Sequence, residues 1–96
     1  KLPQVAQRLA AAGQVDAVIA LGAVIQGATP HADLINGTVA RALAKIALDT
    51  GVPVLNGIVC ALNLEQAIER AGTKQGNKGW DATAAAIETV NVLKAL

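Results

Sequence analysis

The sequence predicts an α/β layer fold in which apolar strands run parallel and helices cover their faces. Two observations predict it. Residues 15–21 (V-D-A-V-I-A-L) form a short, nearly continuous apolar run, which suits a parallel strand buried on both faces rather than an alternating, half-exposed one. The remaining apolar residues fall at helical or strand spacing in the order helix, strand, helix, strand, helix, helix, an order served by right-handed crossovers.

The elements follow in turn. Pro3 near a helix start, Val5, Leu9 and Ala12 at helical spacing and Gly13 as a stop predict a helix over about residues 2–12. A strand follows over about 15–24. Thr29 and Pro30 then signal a helix start, the hydroxyl as N-cap and proline at the first helical position, where its missing N–H costs nothing. That helix runs over about 30–48, with Ile35, Val39, Ala42 and Ile46 inward and Gly51 and Pro53 closing it. Residues 52–60 (V-P-V-L-N-G-I-V-C) are the second strand, with proline tolerated at its start. Asn63 caps a short helix over about 64–71. A Gly-, Asn- and Lys-rich turn leads to a closing helix over about 81–96, with Ile87, Val90 and Leu93 inward.

Ninety-six residues allow one domain with a modest core. The hydrophobic fraction is 53%, yet alanine supplies much of it and Trp80 is the one aromatic residue. Alanine-rich helices pack closely and bury little area each, so association with further copies is expected to supply much of the burial. A net charge of +1 offers no electrostatic case for nucleic acid or an anionic membrane. The single cysteine, Cys60, excludes an intrachain disulfide framework and is expected as a small buried residue in a reducing compartment. No leader pattern and no bilayer-length apolar run is evident, so a soluble, cytoplasmic protein is expected.

The chemistry concentrates where the first strand meets the second helix. Gly27 leaves room for a ligand to approach the chain, and the free N–H groups of the following helix would face an anion. His31, the only histidine, lies in the first helical turn, and imidazole is the side-chain type suited to giving and taking a proton near neutrality. Proton transfer beside a bound phosphate is the chemistry this arrangement suits. No metal-ligand cluster and no G-x-G-x-x-G or G-K-[ST] loop is present, which disfavours a generic flavodoxin-like nucleotide binder.

G-A-V-I-Q-G-A-T-P-H (residues 22–31) and E-R-A-G-T-K-Q-G-N-K-G (69–79), with V-D-A-V-I-A-L before and T-G-V-P-V between, resemble the lumazine synthase family. The resemblance covers essentially the whole chain and begins roughly a third of the way into the family pattern. It implies a three-layer, flavodoxin-like fold with a four-stranded parallel sheet, of which this chain supplies two strands and the following helices. Residues 1–96 are accordingly expected to form the C-terminal two thirds of one family domain.

The resemblance also implies an activity: condensation of 5-amino-6-ribitylamino-uracil with 3,4-dihydroxy-2-butanone 4-phosphate to 6,7-dimethyl-8-ribityllumazine, in riboflavin synthesis, without a metal or organic cofactor. His31 matches the catalytic histidine, with Asp33 also matching. Ala28 and Thr29 match the positions that hold the butanone phosphate. Arg70 matches the arginine that reaches that phosphate from a neighbouring subunit, and a guanidinium grips phosphate bidentately, as lysine cannot. Ala23, Val24 and Ile25 match the segment along the pyrimidine. The implied assembly is a homo-oligomer, a pentamer or a sixty-subunit icosahedral shell, with small-molecule substrates and neither nucleic acid nor membrane as partner.

The chain departs from the pattern at the ring. Asn56 falls at a position that the resemblance implies is substrate-binding, but it stands in V-L-N-G where the family carries an aromatic, and an amide does not stack as phenylalanine does. Gln26 replaces a common arginine and Ala32 a common aromatic. Asn36-Gly37-Thr38 stands where Asn-Glu is usual. The anion half of the site is retained while the ring half is altered, which leaves two readings: an enzyme, or a catalytically silent oligomer or shell scaffold derived from the family.

Overall fold

The chain folds in the expected order, and the computed structural model describes residues 1–27, 30–73 and 76–96. Helix α1 spans Leu2–Ala11, strand β1 Val18–Ile25, helix α2 His31–Thr50, strand β2 Val54–Ala61, helix α3 Leu64–Arg70 and helix α4 Lys78–Ala95. Local chemistry sets their ends. Gly13 and Gly51 take left-handed φ values of 73° and 75°, the conformation that stops a helix at low cost to glycine, and the Gly51 N–H returns to the Ala47 carbonyl at 2.9 Å. Helix α4 begins three residues before the expected Asp81 because Asn77 Oδ1 accepts from the Trp80 N–H at 2.9 Å, a cap the sequence reading passed over. Helix α2 begins at His31 with Pro30 flanking it, one residue later than expected. The expected Thr29 cap lies outside the described residues.

The two strands pair in parallel, in register from Val18 opposite Val54 to Ile25 opposite Ala61. Val18 N–H donates to the Pro53 carbonyl at 2.9 Å, and Gln26 N–H to the Ala61 carbonyl at 2.8 Å, so the ladder extends slightly beyond the strands. Alternate residues face opposite sides. Val18 and Ala20 join Leu43 of α2 and Ala6 and Ala10 of α1 in one core cluster, with Val39, Ile46, Val54 and Ile58 packed against it. On the other face Val59 and Ala61 meet Ala67 of α3. Close by, Gly57 lies against Leu21 and Ala82 of α4. Helices thus cover both faces, giving the mixed α/β, three-layer arrangement consistent with a flavodoxin-like fold.

Several expectations fail for one physical reason. Val5 and Leu9 of α1, Ile35 of α2, and Ile87 and Leu93 of α4 are exposed, while Ala6, Ala10, Ala32, Ala82 and Ala86 are buried in their place. Val39, Ala42, Ile46 and Val90 keep intermediate positions. Periodicity weights the largest apolar residues, but the close helix-on-sheet approach selects alanine faces and turns bulkier side chains outward. Strand β1 is covered on both faces only in its first half, and Leu21 is 62% exposed. Cys60 is exposed, not buried, since alternation along β2 turns it away from the side of Val59 and Ala61, which α3 covers. Gly27 has no left-handed φ, although the space where its Cβ would stand is open.

Candidate functional site

Parallel strands deliver their ends to one side of the sheet, and in α/β folds ligands bind there, beyond the carboxyl ends of the strands. Ile25 and Ala61 end β1 and β2 side by side, α2 starts at His31 and α3 at Leu64. Between them lies a cavity of about 170 Å³. Helix α2 contributes Ala32, Asp33 and Asn36; the strand ends contribute Gln26, Cys60 and Ala61; and α3 with its approach contributes Leu62, Gln66 and Arg70.

The α3 wall is held by reciprocal capping. Asn63 Oδ1 accepts from the Gln66 N–H at 2.8 Å, and Gln66 Oε1 accepts from the Leu62 N–H at 2.9 Å. Two donors at the helix entry are satisfied in this way, a variant of the capping box in which the glutamine reaches the residue before the N-cap rather than the N-cap itself. With α3 so anchored, Arg70 Nη1 donates to the Cys60 carbonyl at 2.8 Å, tying the guanidinium to the end of β2. Among the described residues this is its one hydrogen bond, which leaves four of its five N–H groups for other partners.

The α2 wall differs. Asp33 lies in the first turn and Asn36 in the next. Asn36 Oδ1 is shielded from solvent and has no hydrogen-bond donor among the described residues. His31 is the first residue of α2 and is exposed, but it does not line the cavity. Ala23, Val24 and Ile25 form the end of β1 beside Val59, Cys60 and Ala61, with Ala23 and Ile25 exposed.

Asn56 lies apart. It pairs in register with Ala20, four residues before Cys60 and so roughly 13 Å back along the strand. Its Oδ1 accepts from the Ile58 N–H at 3.0 Å. A single subunit therefore brings Arg70 to the cavity beside Asp33 and Asn36 without bringing Asn56 to it. Ala28, Thr29 and Lys74 lie outside the described residues. Gln66 was missed in the sequence, although the N-x-x-Q spacing of Asn63 and Gln66 before a helical run marks a reciprocal cap.

Comparison with known proteins adds to this geometry. The chain matches the model of a family described as 6,7-dimethyl-8-ribityllumazine synthase over residues 1–94. It is 50% identical to the 6,7-dimethyl-8-ribityllumazine synthase of Chlorobium phaeovibrioides, an alignment covering the whole of this chain and 62% of that relative. The chain thus spans somewhat less than two thirds of the relative's length. Since the family match runs through both strands and every helix described above, the chain belongs to the 6,7-dimethyl-8-ribityllumazine synthase family.

Proposed function

We propose that the protein containing this chain is a 6,7-dimethyl-8-ribityllumazine synthase, condensing 5-amino-6-ribitylamino-uracil with 3,4-dihydroxy-2-butanone 4-phosphate in riboflavin synthesis. The identity of 50% along the full chain to a relative of that name carries the reading. In it, residues 1–96 are the C-terminal two thirds of one domain. His31 shuttles protons, Ala28 and Thr29 hold the butanone phosphate together with Arg70 of the partner subunit, and Ala23, Val24 and Ile25 lie along the pyrimidine. Positioning of both substrates supplies much of the acceleration, and the imidazole contributes proton transfer at neutral pH. The working unit is a pentamer or an icosahedral shell of sixty subunits in the cytoplasm.

Two structural features support association. Among the described residues the buried apolar set is mostly alanine, with Leu43 its one large, fully buried side chain. Large apolar groups including Leu48, Leu62, Leu64 and Trp80 are exposed. A core this small stabilises a domain weakly, and covering such groups with a second copy adds apolar burial.

A silent scaffold is the second reading. Asn56 favours it: the amide is tied back to Ile58, and an aromatic platform is absent at that position. Turnover decides between them. His31→Ala should lower the rate of lumazine formation by about 10²–10⁴-fold while the sedimentation of the assembly stays unchanged. Undetectable turnover in the parent protein, with both substrates at saturating concentration, would leave the scaffold.

A further inference from the structure

The parallel ladder leaves β2 with an outer edge, and two of the chain's own side chains are bonded to it. The Pro53 and Ala61 carbonyls accept from β1, so the odd-numbered backbone groups of β2 face β1 and those of Val54, Asn56, Ile58 and Cys60 face outward. Among the described residues no further strand pairs with that edge. Yet Asn56 Oδ1 accepts from the Ile58 N–H at 3.0 Å, and Arg70 Nη1 donates to the Cys60 carbonyl at 2.8 Å. Ile58 and Cys60 are consecutive outward residues, and the two bonds take up a donor on one and an acceptor on the other. An edge with free N–H and C=O groups is a template for a strand of another molecule, which must bond to successive outward residues. Here the carboxyl-terminal half of the template is occupied from within.

We propose that Asn56, together with Arg70, closes the outer edge of β2 to strand pairing with a second copy of this chain. Asn56 acts locally: its oxygen reaches the N–H two residues on, as asparagine does in turns, and so competes with an incoming carbonyl for the same hydrogen. An aromatic or aliphatic side chain at that position has no acceptor and would leave the N–H free. Arg70 acts from the last turn of α3 and uses one N–H, so the edge bond and its proposed reach into a partner subunit draw on different hydrogens. The inference does not depend on the proposed activity. It says that copies meet through their apolar surfaces while the sheet does not extend across β2.

Amide hydrogen exchange and sedimentation of the full chain test it. Asn56→Ala should speed exchange of the Ile58 amide about fivefold in dilute solution, the worth of one hydrogen bond, and leave the β1-paired Gly57 and Val59 amides unchanged. The double variant Asn56→Ala/Arg70→Ala frees both edge groups. Raising its concentration should shift sedimentation to larger species and return protection to the Ile58 amide as strands pair, which non-specific stickiness would not do. If Ile58 exchanges at the parental rate in Asn56→Ala, the side chain does not hold the edge and the inference is overturned. It is equally overturned if the double variant sediments as the parent does at every concentration. Should the variants not fold, the unaltered protein decides. Protection of the Ile58 amide well above that of the Asn56 amide, which faces the same edge, supports the closure, and equal protection overturns it.

Discussion

Leu21 lies so close over Gly57 that a Cβ on the glycine would stand 2.7 Å from Leu21 Cδ2. The same Cβ would lie 3.0 Å from the Ala20 carbonyl oxygen and 3.4 Å from Ala82 Cβ. The leucine can swing aside, since it is largely exposed, but the carbonyl is backbone and α4 closes the third side. Gly57→Ala should therefore destabilise the protein by about 1–3 kcal/mol. Denaturant melts of Gly57→Ala, Leu21→Ala and the double variant measure it. If the leucine carries most of the clash, the double variant recovers most of the loss; if the backbone and Ala82 carry it, the losses add.

Leu43 is 1% exposed and joins α1, α2 and the sheet in one cluster. Around it the buried positions are Val18 and alanines, so a cavity left at Leu43 is filled only if the partly buried Val39, Ile46, Val54 and Ile58 move inward from their places on helix and sheet. Leu43→Ala should cost about 3–5 kcal/mol, near the upper part of the usual range, and thermal unfolding of the variant should show it. A loss below about 1 kcal/mol would mean that the helices close around the missing side chain.

Capping of α3 links stability to the cavity. Asn63→Ala removes the acceptor for the Gln66 N–H and should cost about 1 kcal/mol. Because α3 is short and carries Arg70 in its last turn, the same substitution should also weaken inorganic phosphate binding. Asn77→Ala, at the start of α4, removes a similar cap and should cost about the same stability with phosphate affinity preserved. Equal phosphate affinities in the two variants would uncouple α3 from the anion.

The Lys45–Asp49 ion pair provides a contrast. Its atoms approach to 2.6 Å one helical turn apart, yet the side chains are 76% and 61% exposed. Water and salt screen such a pair, so Asp49→Ala should change stability by less than about 0.5 kcal/mol, and raising ionic strength should not alter the difference measurably. A larger effect, read from the same denaturant melts, would show that the pair does more than decorate the helix.

Element order, the parallel pairing and the helix stops at Gly13 and Gly51 were determined by the sequence, because glycine conformation, capping and apolar continuity act over a few residues and are written locally. The Asn63 cap was legible in the same way, and so was the start of α2 at the end of β1, which put His31 in a first helical turn. Tertiary structure alone decided which faces turn inward. Alanines of α1 and α4 lie against their neighbours while Val5, Leu9, Ile87 and Leu93 remain outside, since closeness of backbone approach is a property of two elements and not of one. It also decided the company of Arg70, whose guanidinium is bound to the Cys60 carbonyl and which lines one cavity with Asn36, residues ten and thirty-four positions away in the chain. No local spacing encodes that meeting, because it depends on the strand ends of the sheet and the capped helix α3 being brought to the same edge.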